Sequence, residues 1–422
     1  MSKIQLELPT IQNWSCHSCA GCCRQHLIAI TEEEHDRIVK QNWTSADGIP
    51  EGQPVVEKNG GSHTKPYRLA HQPDGACVFL QDDGLCRIHA KFGEPAKPLA
   101  CRIYPYAFHP KGDKIAVGLR FSCPSVVANK GTPVSQNRKE IQELANQVVP
   151  DEYKQSRPPY VIPGESLEWR DTLQLVEILD SFFADEDVPF QLQLLRAVAW
   201  TDLLQSSTFT RISGARLKEL AEMFRIAAVA EWEQLPDELA PGSSLGRVMF
   251  RLLISIYCRK ESMRDLDSPL RSRFTSLSST LKFAWGGGTT PSLSEEFPAV
   301  AFGRIEQVRG ELPEGADELF RRYVRMKIQG MHFCGAAFYD YPLTTGFFSL
   351  SLMFPVIVWL ARWTAAGNNR DNVSQADLEL ALARADHHHG YSPVLGMAPF
   401  RKRVDYLHSL GELPKLIVKY AR

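Results

Sequence analysis

Four cysteines fall within eight residues of the stretch "WSCHSCAGCCRQH": Cys16, Cys19, Cys22 and Cys23. A segment so dense in thiols cannot be one apolar face of a helix or strand, and it constrains the fold more than any other feature. Eight of the ten cysteines lie before residue 124, the four above joined by Cys77, Cys86, Cys101 and Cys123. Cys258 and Cys334 sit in apolar helical contexts and read as small buried hydrophobes. In "MSKIQLELPTIQNW" no continuous apolar segment follows Lys3, so nothing there reads as a secretory leader. A cytoplasmic setting is expected, where clustered cysteines are metal ligands or reactive groups more often than disulfides. The C-x2-C-x2-C spacing lets one loop aim several thiolates at a common point. Soft sulfur suits zinc, iron or an iron–sulfur cluster rather than a hard ion. All eight early cysteines are therefore candidate ligands, with Gly21 expected to bend the loop. Cys22 and Cys23 are expected to point different ways, which leaves open a second centre or a free thiol.

After the cluster, "HLIAITEEEHDRIVKQ" predicts a short strand and then a helix. Thr31 and Glu34 stand at capping-box spacing, Ile38 falls on the apolar face, and His35 belongs on the surface. The turn-rich "GIPEGQPVVEKNGGSHTKPYRLA" has room for two short strands. In "CVFLQDDGLCRIH" two apolar runs flank a turn, which predicts a hairpin that brings Cys77 beside Cys86. Pro95 and Pro98 stiffen the approach to Cys101. Pro124 directly follows Cys123 and is expected to stop a helix there, like the Cys-Pro ending of some ferredoxin runs.

These motifs together resemble the YkgJ-like cysteine-cluster family. "CHSCAGCC" matches its CxxCxxCC signature, and "CVFLQDDGLCRIH" and "CRIYPY" are similar to its later segments. The resemblance covers about residues 14–125 and implies a zinc- or iron-chelating module. Where the family has Arg-Pro, two residues and Cys-Arg, this chain has "KPLACR", keeping Pro98, Cys101 and Arg102 but placing Lys97 at the first position. That exchange alters a surface or salt-bridge cation, not a thiolate. His26, His63, His71, His89 and His109 are candidates to complete a mixed shell, His89 first among them. Arg87 and Arg102 are candidates to neutralise a thiolate-rich centre, with ordinary ion pairing as the alternative. The metal's purpose stays open: it supplies folding free energy to an irregular module, or it takes part in redox chemistry.

Beyond residue 150 the pattern changes. "DEYKQSRPPYVIPGES" reads as a linker, and "SLEWRDTLQLVEILDSFF" begins a series of segments with helical apolar periodicity. "WGGGTTPS" reads as a loop, because no strong helix follows its glycines. The charge-free stretch Leu343–Ala361 has the length of a membrane span, but Ser349, Ser351 and Pro355 interrupt it, and a buried core helix is expected. Ser374 and Asp377 have capping-box spacing. The "DHHHG" that follows is expected to be a polar helix end, since three consecutive side chains radiate apart and His favours a helix C-terminus.

The expected fold class is mainly α: an irregular α+β cysteine-rich module in residues 1–150, then a mainly helical domain in 160–422, subdivided near 285–315. A formal charge of −1 gives no global attraction to nucleic acid or anionic membrane, and no transmembrane span is expected. The expected function is a metal-binding protein whose zinc, iron or iron–sulfur centre has a structural or redox role, with a protein as partner or substrate. A cysteine cluster ahead of a helical region, with "LFRRYVRMKIQGMHF" in it, is also similar to FliB-type flagellin-lysine N-methylases. That resemblance implies S-adenosylmethionine as cofactor and transfer to a protein lysine. No glycine-rich strand–turn–helix signature of a common cofactor fold accompanies it. Tyr323, Asp340 and Tyr341 are candidates for a polar pocket, with ordinary packing as the alternative, and no catalytic residue is assigned.

Overall fold

The computed structural model describes residues 4–59, 64–258 and 269–422. A mixed α+β region runs to Ser166, and helices follow from Trp169 to Tyr420, as the cysteine spacing and helical periodicity predict. Among the described residues the strands are β1 (Leu6–Glu7), β2 (Ala29–Ile30), β3 (Val56–Lys58), β4 (Tyr67–Leu69), β5 (Tyr106–Lys111), β6 (Lys114–Leu119), β7 (Tyr160–Ile162) and β8 (Glu165–Ser166).

Two cores organise these pieces. The smaller lies under an antiparallel sheet ordered β2-β4-β3, with Ala29 opposite Arg68 and Val56 opposite Leu69. Ile30, Ile38, Ile49, Leu69, Phe79 and Ile88 fill it, with Cys77 built into its edge. Ile38 arrives on the helix Glu32–Lys40, whose start is fixed as the sequence predicts. Thr31 Oγ1 accepts from the Glu34 N–H at 3.2 Å, and Glu34 Oε2 accepts from the Thr31 N–H at 3.0 Å. The larger core holds the helical region together with the β5–β6 hairpin, to which β1 adds in parallel. Tyr106, Ile115, Val117 and Leu119 of that hairpin are buried with the helices rather than with the small core. The segment 151–166 carries β7 and β8, and Tyr153, Val161 and Ile162 are buried in the same large core.

Three local expectations change. Leu80 and Cys86 form a single bridge, after which "RIHAKF" turns into the helix Arg87–Phe92 instead of a second strand. Helical bonding from the Ala90 N–H to the Cys86 carbonyl (2.9 Å) buries Ile88 alone and leaves His89 outside. Pro124 opens the short helix Pro124–Val127 rather than closing one, because proline at the first helical position lacks only a donor that would be unbonded anyway. The apolar run from Leu343 becomes two successive helices, Leu343–Ser351 and Met353–Gly367. This stretch is the described helix long and apolar enough to cross a membrane, and it is wholly buried in the large core.

Candidate functional site

The cysteine loop turns through left-handed backbone at Ser18 (φ 52°) and Ala20 (φ 58°) before the short helix Gly21–Gln25. The bend expected of Gly21 is thus carried by its neighbours. Gly21 is needed for close approach: a Cβ there would lie 3.2 Å from Pro124 Cδ and 3.5 Å from Cys19 Sγ. Cys16, Cys19 and Cys22 are exposed, Cys23, Cys86 and Cys101 half-buried, and Cys77 and Cys123 buried, with all of them free thiols. The Cys77 N–H donates to the Cys23 carbonyl at 2.8 Å, which ties the loop to the small core.

The thiols fall into groups. Cys22 Sγ lies 3.9 Å from Cys23 Sγ, so the two adjacent side chains converge rather than diverge. That contact first, and then crowding of the sulfur by its neighbours although the residue as a whole is exposed, pushes the Cys22 thiol up. Burial pushes up Cys77 as well, and Cys101 to about 12, with Cys22 and Cys86 adding to both. Cys22, Cys23, Cys77, Cys86 and Cys101 therefore share one neighbourhood. Cys123 is raised by burial and feels Cys19, a second pairing. Lys97 opposes the rise at both Cys22 and Cys101. The lysine standing where the family has arginine is thus the cation nearest the thiol group in effect. Arg102, by contrast, is taken by Glu94 at 2.8 Å and Gln147 at 3.0 Å.

Among the described residues no three His, Cys, Asp or Glu side chains converge closely enough to enclose an ion. The fit to a metal is one of donor chemistry and grouping: soft sulfur, outside any disulfide, with buried thiols held neutral for want of a strong counter-charge. Of the candidate histidines, His71 is buried, its Nε2 3.4 Å from the His26 carbonyl, His89 is exposed, and His63 lies outside the described residues.

Beside the thiols the two halves of the chain meet on a polar seam. Lys327, from the helix Ala316–Gln329, lies 2.5 Å from Asp386 Oδ1, and both are buried. Lys327 Nζ is 3.0 Å from His332 Nδ1, and Asp386 Oδ2 accepts from the Ser122 N–H at 3.0 Å, next to Cys123. His332 stacks on His109 with ring centres 4.6 Å apart. Towards the cysteine loop, His26 packs 4.9 Å from both Tyr104 and His387, and the Arg120 guanidinium covers the Tyr391 ring at 3.6 Å. His26, Tyr104, Arg120, His387 and Tyr391 are half-buried and form the rim, while Lys327, Asp386 and His332 are the buried floor.

The imidazoles of this seam are neutral. Burial, aided by Arg120, holds His26 down to about 3. Burial with His26 beside it holds His387 down to about 2, and burial with Lys327 holds His109 down to about 4. His332 and His389 lie well below the ordinary imidazole value for the same first reason. Burial also pulls Lys327 down, against the attraction of Asp386. Several buried polar atoms have no partner: His26 Nε2, His109 Nε2, His332 Nε2, His387 Nδ1, Arg120 Nε and the Tyr391 hydroxyl. Buried polar groups are satisfied in more than about nine cases in ten, so this concentration marks a place for water or ligand. Gly390 lets the chain pass there, at φ 83° and with His332 Nε2 only 2.3 Å from where a Cβ would stand.

The polar helix end expected of "DHHHG" is instead packed into this seam. Its side chains do radiate apart, His387 meeting His26 and His389 Nδ1 lying 2.9 Å from the Tyr257 hydroxyl. Their neutrality removes the expected interaction with the helix dipole. Tyr323 faces the seam, Tyr341 donates to the Leu395 carbonyl at 2.7 Å in ordinary packing, and Asp340 is exposed. Sequence reasoning missed Tyr104, Arg120, Lys327, His332, Asp386 and Tyr391. One signal was present: Lys327 follows Phe320 by seven and Tyr323 by four, which puts a lysine on the buried stripe of its helix. A separate cavity of about 720 Å³ is lined by Arg251, Arg309, Arg362, Glu306 and Tyr420 among others, with no residue of the cysteine module.

Comparison with known proteins places the cysteines. Residues 15–124 match the CxxCxxCC family, described as "Putative zinc- or iron-chelating domain". Those residues form a CxxCxxCC domain. The chain is also similar, weakly and in part, to a "Lysine-N-methylase" of Salmonella choleraesuis, 24% identical over 132 residues. That alignment covers 30% of this chain and 33% of the relative, so the chain spans about a third of that protein's length. A "Lysine-N-methylase" of Salmonella typhimurium is 25% identical over 117 residues, covering 26% of this chain and 29% of the relative. The "Flagellar biosynthetic protein FliU" of Salmonella muenchen is 24% identical over 132 residues, covering 30% of this chain and 78% of the relative. No solved structure matches.

Proposed function

We propose that this chain is a cytoplasmic protein-lysine N-methyltransferase that uses S-adenosylmethionine and carries a thiolate-held zinc or iron centre beside its reaction site. The observation that carries the reading is the seam, where uncharged imidazoles with open nitrogens lie between the cysteine domain and the helical region. The names of the similar Salmonella proteins support the choice of reaction. Cys22, Cys23, Cys77, Cys86 and Cys101 would hold one centre, with Cys19 and Cys123 as a second pair of donors and Cys16 on the same loop. A zinc or iron centre held there would offset the charge of the thiolates and would cross-link the loop to the small core.

S-Adenosylmethionine supplies an electrophilic methyl group. With the cofactor bound, a lysine lone pair would form the N–C bond as the C–S pair stayed on sulfur, and the nitrogen would have to lose one proton. His26 and His387 at the rim are uncharged and offer ring nitrogens that would accept a hydrogen bond from the lysine amine and orient it, while burial keeps them too weakly basic to carry the proton away, so that proton would pass to solvent at the rim. The Tyr104 ring, at 5.7 Å from Arg120, would be the aromatic face nearer to free for the methylated cation, since Arg120 already covers Tyr391 at 3.6 Å.

A second reading, a metal-stabilised binding protein, draws on the small core around Ile30 and Phe79, which is slight enough to need a metal. One preparation separates the two. Anaerobically purified protein is assayed for zinc, iron and sulfide, then for saturable S-adenosylmethionine binding and methyl transfer to lysine in a cell extract. Stoichiometric metal without cofactor binding would defeat the transferase reading and leave the structural one.

A further inference from the structure

The cavity away from the seam measures about 720 Å³, within the range of small-molecule sites, about 300–1,000 Å³. Its walls are charged rather than apolar. Among the described residues seven of its side chains are cationic and four are carboxylates. Three ion pairs take up three of each: Lys419 with Glu306 at 2.7 Å, Arg422 with Asp237 at 2.5 Å, and Lys415 with Glu412 at 3.5 Å. That leaves Arg247, Arg251, Arg309 and Arg362 against the exposed Glu238. None of the four pairs with a side-chain carboxylate among the described residues. Arg247 donates to Ser244 Oγ at 3.0 Å, Arg251 to the Trp285 carbonyl at 3.4 Å, and Arg362 to the Arg422 main-chain oxygen. The Arg309 side chain has no hydrogen-bond partner among them. Even a terminal charge on that Arg422 oxygen would leave the cations in excess.

These guanidinium groups converge. Arg247 and Arg251 stand four apart on the helix Ser244–Tyr257, and like charges so placed destabilise a helix. Arg362 is 3% exposed and lies over the Tyr420 ring at 4.9 Å. Burial pulls Arg362 below the usual guanidinium value, and Arg309 adds to the effect. Burial pushes the Tyr420 hydroxyl up, and Arg362 and Arg251 oppose it. Arg251, Arg309 and Arg362 thus gather about one ring. A concave wall with an excess of cations raises the local concentration of anions, and guanidinium forks hold phosphate oxygens two at a time. An excess of three cations asks for more charge than the 1.5–2 or so that one phosphate group brings. Tyr420 is already covered by Arg362 and packs on Phe250 at 5.5 Å, so the wall reads charge rather than an aromatic base.

We propose that this cavity binds a soluble diphosphate, free or as the phosphate chain of a nucleotide, held by Arg251, Arg309 and Arg362. The site is independent of the methyl-transfer reading. Its field opposes the sulfonium and ammonium groups of S-adenosylmethionine and the charge of a substrate lysine, so both belong elsewhere on the chain.

The test is calorimetry on the metal-loaded full chain in phosphate-free buffer, with inorganic phosphate, inorganic pyrophosphate and ADP as probes. Pyrophosphate should bind once per chain and about 10-fold or more tighter than phosphate, the gain of one further hydrogen bond to a charged group. ADP binding tighter than pyrophosphate would mark a nucleotide as the source, and ADP binding no tighter would mark a site for the diphosphate itself. Arg251→Gln and Arg309→Gln should each weaken pyrophosphate about 10- to 100-fold, and Arg251→Lys, which keeps the charge without the fork, by less. Arg216→Gln, on the helix Gly214–Glu231 and outside the cavity, should change nothing. The thermal midpoint without ligand reports folding, and Arg309→Gln, at an exposed side chain, carries the comparison if Arg251→Gln does not fold. Absence of pyrophosphate binding, or affinity that survives both glutamine exchanges, overturns the proposal. Pyrophosphate bound no tighter than phosphate overturns it as well. Displacement of bound pyrophosphate by S-adenosylmethionine overturns it in favour of a cofactor site, and tighter binding of a hexaglutamate peptide overturns it in favour of an acidic protein segment.

Discussion

Replacing Lys327 by methionine removes one partner of a pair that is 2% and 0% exposed and separated by 2.5 Å. Asp386 would keep the Ser122 N–H at 3.0 Å and lose the one cation it pairs with among the described residues, leaving a buried carboxylate half satisfied. Breaking a buried pair on one side costs about 3–5 kcal/mol, because the remaining charge is uncompensated. For a chain of this length the loss corresponds to a fall of about 3–6 °C in midpoint, taking the usual unfolding entropy per residue. Asp386→Asn should cost a similar amount. The double variant Lys327→Met/Asp386→Leu should cost less than either single change, about 1–2 kcal/mol, since it removes both charges and forfeits chiefly the Ser122 bond. Calorimetry on metal-loaded protein, read as a double-mutant cycle, checks this. Two cores make a single all-or-none transition an assumption, so hydrogen exchange across Ala316–Gln329 provides a local readout of the same cycle. Additive costs to within about 0.5 kcal/mol, or a single-variant cost below about 1 kcal/mol, would refute the claim that Lys327 and Asp386 stabilise the seam as a pair.

Acid should loosen the seam before it protonates most carboxylates. His109 titrates at about 4 and His26 at about 3 against an ordinary 6.5, so below 6.5 the unfolded chain binds more protons and stability falls with pH. By pH 5 the cost is about 2 kcal/mol for each independent imidazole, and a midpoint unchanged from pH 7 to 4.5 would count against a buried neutral seam. Cys101→Ser or Cys77→Ser should reduce bound metal, while Cys334→Ala leaves it unchanged; equal metal content in all three would remove Cys77 and Cys101 from the centre. Thr31→Ala should cost about 1 kcal/mol through loss of the cap, measured as faster hydrogen exchange in the helix Glu32–Lys40. Unaltered protection there would mean that packing of Ile38 alone holds that helix.

What was legible in the sequence was local. Thr31 and Glu34 are three residues apart, and a capping box needs nothing beyond them. The same holds for Ser374 and Asp377, and Asp377 gains what spacing could not show, two bonds from Arg370 that hold its carboxyl down to about 2. The cysteine motif was legible because ligand spacing is itself the signal. Its finer geometry was not, since Cys22 and Cys23 converge through backbone turns at Ser18 and Ala20, residues with no preference for positive φ.

The seam was hidden for a different physical reason. Ser122 and Asp386 are 264 residues apart, and no local pattern marks a backbone N–H that will be answered across such a distance. "DHHHG" looked like a solvated helix end because histidine, glycine and a dipole all suit that place. Burial decides otherwise, and burial is a property of what packs against the helix. His26 comes from the cysteine loop, Lys327 from the middle of the helical region, and neither is unusual alone. Together they put a buried ion pair, uncharged imidazoles and an unpaired guanidinium on the face shared by the two halves. Ser122 and Cys123 belong to one turn, so the carboxylate that pairs Lys327 also fixes the backbone beside a thiol. Beside the His26–His387 contact and the Arg322 bonds to the Val126 and Val127 carbonyls, this hydrogen bond ties the seam to the backbone next to Cys123, and Asp386→Asn would weaken it while Lys327→Met would leave it in place.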